Sequence, residues 1–182
     1  MLIRQAVPSD YPAILALQAQ NTPEQLSPQQ RQQGFIISQM DEKQLASING
    51  GLGILIAVEE EQLAGFVCLM PTDAQPRPPL VDAMLHTLAT QRLQNQALDQ
   101  QRVFLYGPVC LSADYRGKGV LRQLVEAVKA RTQQDFDVGA LFINENNPHS
   151  LAAHVAGLGM TALTTFDCNS QSYQLVVFAT SS

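Results

Sequence analysis

The sequence predicts a mixed α/β domain with a central sheet flanked by helices. Three observations carry that prediction. Strand-like and helix-like segments alternate along the chain, in the order βααββ(α)βαβαββ. Two hairpins are legible, one across 53–69 and one closing the chain across 161–179. Between them, a strand, a glycine-rich turn and an amphipathic helix follow one another over 103–130. With 182 residues, 46% of them apolar and 15% charged, the chain can bury a core without a metal or disulfide staple.

The elements follow in order. Leu2 to Ala6 reads as a short strand, and Ser9 as the N-cap of a helix that turns Ile14, Leu15 and Leu17 inward. Ser27-Pro28-Gln29-Gln30 has the pattern of a capping box with proline at the first helical position. Phe35, Ile36 and Met40 give the helix behind it an apolar face, and the helix pair ends near Asn49-Gly50-Gly51. Strands at Gly53–Val58 and Leu63–Leu69 flank the acidic turn Glu59-Glu60-Glu61-Gln62, whose charges need no reason beyond solvation. Residues 72–79, TDAQPRPP, break the chain. Val81, Met84, Leu85, Leu88 and Leu93 then fit one helix over about 80–98, so that 72–102 reads as an insertion or lid within a single domain of residues 1–182. Val103–Leu111 is apolar enough for a central strand, and Gly107-Pro108 interrupts its ladder because proline donates no hydrogen bond. A helix from Gly119 to Ala130 places Leu121, Leu124, Val125 and Val128 on one side. Val138–Ile143 is a buried strand, Leu151 to Leu158 a short helix, and 161–167 with 172–179 the closing hairpin, whose last strand offers a pairing edge.

Composition narrows the function classes. Eleven basic against sixteen acidic residues give a net charge of −5, which disfavours non-specific binding to nucleic acid or to an anionic membrane. No apolar run reaches the ~20 residues of a membrane helix. The opening MLIRQAVPSDYP lacks the apolar stretch of a signal peptide. Cys68, Cys110 and Cys168 are too few and too widely spaced for a disulfide framework or a zinc site. A cytoplasmic protein without a bound metal is the expectation.

The chemistry concentrates in residues 109–125, VCLSADYRGKGVLRQLV. Two glycines within three residues let the backbone turn tightly and approach a ligand with no Cβ in the way. The helix behind them presents unpaired N–H groups and a partial positive charge. Five of the eleven basic residues, Arg116, Lys118, Arg122, Lys129 and Arg131, fall between 116 and 131, against the single acid Glu126. In an acidic protein that reversal points to a phosphate or pyrophosphate. The P-loop and dinucleotide patterns of other phosphate-binding folds are absent.

Arg116-Gly117-Lys118-Gly119-Val120-Leu121 resembles the R/Q-x-x-G-x-G/A motif of the GNAT superfamily of acetyl-CoA-dependent N-acetyltransferases, with Leu121 where the family has Gly or Ala. Downstream, Asn147-Pro148-His149-Ser150-Leu151, His154 and Gly159-Met160 resemble the family's N-x-x-S-x-x-x-Y-x-x-x-G-F segment, with His154 in the place of tyrosine. The resemblance is specific over about 103–160 and absent over 72–102.

The resemblance implies a mostly antiparallel sheet and acetyl-CoA as co-substrate. By it, the backbone of Val109, Cys110 and Leu111 pairs with the pantetheine arm, and one of their N–H groups stabilises the oxyanion, an effect worth ~3 kcal/mol for one donor elsewhere. The strands flanking the site part to admit the cofactor. Arg116 to Leu121 hold the pyrophosphate, and Asn147 touches the cofactor. Its acceptor is a primary amine on a small molecule, peptide or protein. Such an amine, with a pKa near ~10.4, must lose a proton, and the departing thiolate must gain one. His154, at the tyrosine position, and Tyr106, on the central strand, are the candidate donors. Cys110 has no histidine to make it a nucleophile and reads as buried and inert. Tyr115 packs the loop. Glu145, Asn144 and Ser112 are weaker candidates for handling the amine, and His86 and His149 take no role. The alternative function is an acyl-CoA sensor of the same fold with little turnover. Homodimers are common in the family.

Overall fold

The computed structural model describes residues 1–22, 40–74 and 77–181. Among them are strands β1 (Leu2–Gln5), β2 (Gly53–Glu59), β3 (Gln62–Pro71), β4 (Arg92–Leu93), β5 (Gln96–Ala97), β6 (Val103–Leu111), β7 (Val138–Asn144), β8 (Thr161–Cys168) and β9 (Gln171–Ala179). The helices are α1 (Tyr11–Gln20), α2 (Glu42–Gly50), α3 (Pro79–Leu88), α4 (Val120–Thr132) and α5 (Pro148–Ala152). Seven strands form a mixed, mostly antiparallel sheet in the order β1-β2-β3-β6-β7-β9-β8, flanked by helices, and β4 pairs with β5 alone. The chain divides into two compact units, Met1–Met70 with Tyr106–Arg131, and Pro71–Leu105 with Thr132–Ser182.

In the first unit, Ile14 and Leu17 of α1 and Leu45 of α2 pack with Ile54, Ile56, Phe66, Cys68 and Cys110 into one buried cluster. Each aliphatic or aromatic side chain taken fully from water adds about 1.5–3 kcal/mol to the fold. Ser9 is not the cap of α1. It sits exposed in a short 3₁₀ turn, Pro8–Asp10. The cap position falls to Asp10, whose side chain makes no bond to the first turn of α1 and instead accepts the Val7 N–H at 2.7 Å and a two-pronged pair from Arg4 at 2.8 and 3.0 Å. The Ser27–Gln30 capping box, with Phe35 and Ile36, lies outside the described residues. A capping box does open α2, where Asp41 accepts the Gln44 N–H and Gln44 accepts the Asp41 N–H, at 2.8 and 2.9 Å. The same D-x-x-Q signal stands in the sequence. Asn49, at the end of α2, donates to the Ala6 carbonyl and accepts from the Ile54 N–H, so one side chain links β1, α2 and β2. The β2–β3 hairpin turns on Glu60 and Glu61 alone, at φ +51° and +67°, with their charges in solvent.

In the second unit, β7 pairs with β9 over seven residues and β8 pairs with the other side of β9. β9 is therefore interior, and the expectation of a pairing edge at 172–179 is corrected: the edge strand is β8. Leu175, Val176, Val177 and Phe178 are all buried, as a strand covered on both faces requires, whereas the threonine-rich β8 is mostly exposed or half-buried. The helix expected over 80–98 is also corrected. It ends at Leu88, and Leu93 belongs to the β4–β5 hairpin, turned by Gln94 and Asn95 at φ +51° and +67°. Thr90 ends the helix by donating to the Thr87 carbonyl, and Met84 and Leu88 are buried on α3, which packs against β8. β6 runs parallel to β7 over only three pairs, Val103–Leu105 with Val138–Ala140. The short helix starts three residues earlier than the sequence suggests, with Pro148 at its first position, and passes into a π turn at Ala153–Gly157.

Candidate functional site

The first unit carries the loop that the sequence singles out. At the end of β6 the Ser112 N–H donates to the Ala64 carbonyl of β3 at 2.8 Å. A 3₁₀ turn, Ala113–Tyr115, follows. The Tyr115 hydroxyl donates to Gln62 Oε1 at 3.3 Å, and Lys118 Nζ lies 5.7 Å from the centre of the Tyr115 ring, a cation–π contact. Arg116 is half-buried and donates from Nη2 to Asn21 Oδ1 at 2.6 Å. Burial draws its pKa down from the ordinary value. Gly117 and Gly119 follow at φ +75° and +79°, where only glycine is comfortable, and a Cβ on either would meet no heavy atom within 4 Å. The first bond of α4 runs from the Gln123 N–H to the Gly119 carbonyl, so the amides of Val120 and Leu121 open the helix. An open, Cβ-free cradle thus leads into a helix N-terminus, as a pyrophosphate requires.

Two expectations about this region change. Arg131 does not belong to the anion cluster. It lies about 18 Å along α4 from the loop, where it donates to the Leu52 carbonyl at 2.8 Å and to Gln5 Oε1 at 3.1 Å. Leu121 is only half-buried, and Val120 is the residue sealed under the first turn, beside Leu124, Val125 and Val128. Arg116, Lys118 and Arg122 are the basic residues at the loop itself.

On β6, Tyr106 and Cys110 are buried and Val109 and Leu111 half-buried. Cys110 Sγ donates to the Leu17 carbonyl at 3.8 Å, and burial pushes its thiol up to about 12, so it stays protonated. Burial raises the Tyr106 phenol above its ordinary value as well, and it keeps its proton at neutral pH. β3 comes close to this strand: a Cβ on Gly65 would lie 2.6 Å from Leu111 Cδ2 and 2.9 Å from the Cys110 carbonyl.

The second unit holds Asn147 and His154, both buried, with Asn147 just before α5 and His154 in the π turn. His154 Nδ1 lies 2.8 Å from the Ser150 carbonyl. A carbonyl only accepts, so Nδ1 carries the proton, and the neutral ring has its lone pair on Nε2. Burial lowers the pKa of this histidine, outweighing the Ser150 bond that raises it. Asn144 is buried and bonded to Gln171, whereas Glu145, His149 and His86 are exposed. Among the described residues no group of three or more His, Cys, Asp or Glu side chains could hold a metal ion. Asn21 and Gln62 are the loop partners that sequence reading missed.

A family model described as the acetyltransferase (GNAT) family matches residues 13–160. The chain belongs to the GNAT acetyltransferase family. Solved structures agree with the fold. A Streptococcus mutans protein matches with a TM-score of 0.69 at 14% identity, over 99% of both chains. The ribosomal-protein-alanine N-acetyltransferase of Brucella melitensis matches at 0.62 and 19% identity, over 98% of this chain and 99% of its own. A Salmonella typhimurium protein solved with its cofactor acetyl-CoA matches at 0.64 and 15%, over 100% and 95%. No curated protein matches the sequence. At these identities the structural likeness is one of fold, and membership rests on the family model. This GNAT chain is accordingly an acetyltransferase of a fold that uses acetyl-CoA. The cradle at Gly117 and Gly119 suits the phosphates of that molecule.

Proposed function

We propose that this protein moves the acetyl group of acetyl-CoA to a primary amine by direct attack in a ternary complex, with no covalent enzyme intermediate. The observation that carries the reading is the loop Arg116–Gly119, whose two glycines hold left-handed backbone under open space at the start of α4. Bound acetyl-CoA supplies an activated thioester carbonyl. The N–H groups of Gly117 to Leu121 hold the pyrophosphate, helped by the Lys118 charge and the positive end of α4. The backbone of Val109, Cys110 and Leu111 serves the pantetheine arm. The Cys110 side chain, occupied with the Leu17 carbonyl, stays out of the chemistry. Asn147 is assigned to the cofactor by the resemblance alone.

Of the two candidate proton donors, Tyr106 is better suited. The one N–H of neutral His154 is directed at the Ser150 carbonyl, which leaves the Tyr106 hydroxyl as the candidate donor, although burial makes it a weaker acid. Tyr106 therefore donates to the departing thiolate, the proton lost by the attacking amine returns through water to the phenolate, and His154 braces its helix or accepts a hydrogen bond at Nε2. The acceptor is an amine of a small molecule or peptide.

Calorimetric titration with acetyl-CoA, against CoA, ATP and inorganic pyrophosphate, tests the cofactor, and release of CoA thiol over an amine panel tests turnover. Micromolar acetyl-CoA binding with amine-dependent thiol release supports the reading. In that assay Tyr106→Phe lowers the rate and His154→Phe lowers it less. Binding without turnover of any amine replaces the enzyme by the sensor, and no binding removes both.

A further inference from the structure

We propose that Asn21 is a positioning residue for the cofactor loop: its buried amide ties Arg116 to the last turn of α1 and so holds the Arg116–Gly119 backbone ready for phosphate. This inference rests on the function assigned to that loop above.

Asn21 is 5% exposed, directly after α1, and 95 residues before its partner. Its Nδ2 donates to the Leu17 carbonyl at 2.8 Å, and its Oδ1 accepts from Arg116 Nη2 at 2.6 Å. The two partners settle which way the amide faces, since a carbonyl can only accept and a guanidinium can only donate. The Leu17 carbonyl also takes the Cys110 thiol, so one turn of α1 holds both the end of β6 and the loop beyond it. That turn is the negative end of the α1 dipole, a suitable seat for a guanidinium partly withdrawn from water.

The loop needs such an anchor. Arg116 has extended backbone, φ −70° and ψ 142°, and Gly117 then reverses the chain at φ +75°. Two glycines in three residues leave many conformations open, of which few present their amides together. Among the described residues the loop is also tied by Ser112 to Ala64 through the backbone, four residues upstream of Arg116, and by Tyr115 to Gln62, exposed and at 3.3 Å. The Asn21–Arg116 bond is the short, charge-assisted one, and it grips the residue next to the first glycine. Losing it leaves the phosphate-facing conformation a smaller share of the ensemble, and affinity falls by that share.

The test uses Asn21→Leu, of similar size but without an acceptor, and Asn21→Asp, which restores an acceptor toward Arg116. Amide hydrogen exchange over 113–119 is followed without ligand, together with the melting temperature, acetyl-CoA affinity and a double variant with Arg116→Met. The expected result is faster exchange confined to the loop and roughly tenfold weaker acetyl-CoA binding in Asn21→Leu. Asn21→Asp, which keeps an acceptor for Arg116 but loses the donor to Leu17, recovers part of both, and Arg116→Met adds less to Asn21→Leu than it costs alone. Wild-type exchange in Asn21→Leu overturns the proposal, as does faster exchange spread evenly through α1, β2 and β3, which marks a merely structural role. Full additivity of the two substitutions overturns it too. Exchange is read without ligand, so it decides the anchor by itself. A wild-type protein that ignores acetyl-CoA refutes the proposed function instead.

Discussion

Replacing Gly119 by alanine separates backbone strain from loss of the phosphate site. Gly119 sits at φ +79°, and an added Cβ meets nothing within 4 Å. The stability cost is therefore only that of holding an L-residue in the left-handed region, about 1–2 kcal/mol. An unfolding entropy of about 2.1 cal/mol/K per residue over this chain converts that to a melting temperature about 3–5 °C lower. The effect on binding has another origin. A methyl group in the cradle keeps phosphate from one or more amides, and each charge-assisted bond lost removes about 1.5–3 kcal/mol, or roughly ten- to 150-fold in affinity. Gly159 supplies the control. It has φ +75° and the same open space, but it ends the π turn of the second unit, where its N–H donates to the Val155 carbonyl at 3.0 Å. Gly159→Ala should lower the melting temperature by the same amount and leave acetyl-CoA affinity unchanged. Differential scanning fluorimetry and calorimetric titration of the two variants read both quantities. Equal affinity in the two variants, whether both retained or both lost, would refute the cradle.

Gly65→Ala drives a methyl group to 2.6 Å from Leu111 Cδ2 and 2.9 Å from the Cys110 carbonyl, and should cost about 1–3 kcal/mol in urea denaturation. An unchanged midpoint would show that β3 and the end of β6 are not in close contact. The His154 pKa is lowered by burial, so the unfolded chain takes up its proton first as pH falls. That contribution to stability is complete above about pH 6.5 and is lost as pH drops from there through the folded pKa, a slope that His154→Gln should flatten in denaturation curves between pH 5 and 8. Ser170→Gly relieves a φ of +66° in the β8–β9 turn and makes an Asn-Gly pair there, which should raise stability by about 0.5–1 kcal/mol; a lower melting temperature would contradict the turn geometry.

Much of the strand pattern was legible because burial on both faces leaves apolar runs, such as Gly53–Val58 and Val138–Ile143, and because hairpin turns are local. The cradle was legible for a similar reason: two glycines, a strand before them and a helix after them fall within one short stretch. Elements chosen between near-equal local options were misread. Leu93 fits the period of α3, but Thr90 ends the helix and the Gln94-Asn95 turn takes Leu93 into a hairpin. Ser9 is a good cap by type, but Asp10 answers both Val7 and Arg4.

What the sequence by itself determined is the fold class, the two-glycine turn that leads into a helix at 116–121 and the burial of Cys110, because periodicity, glycine placement and residue type act over a few neighbours. Which strand closes the sheet, which cations stay at the loop and what holds the loop in place were decided only by tertiary structure. β9 is interior because β7 and β8 both pair with it, and Arg131 leaves the anion cluster because a helix carries it about 18 Å away. Asn21 meets Arg116 across 95 residues. No local pattern encodes such a meeting, because it exists only once α1 has packed beside β6.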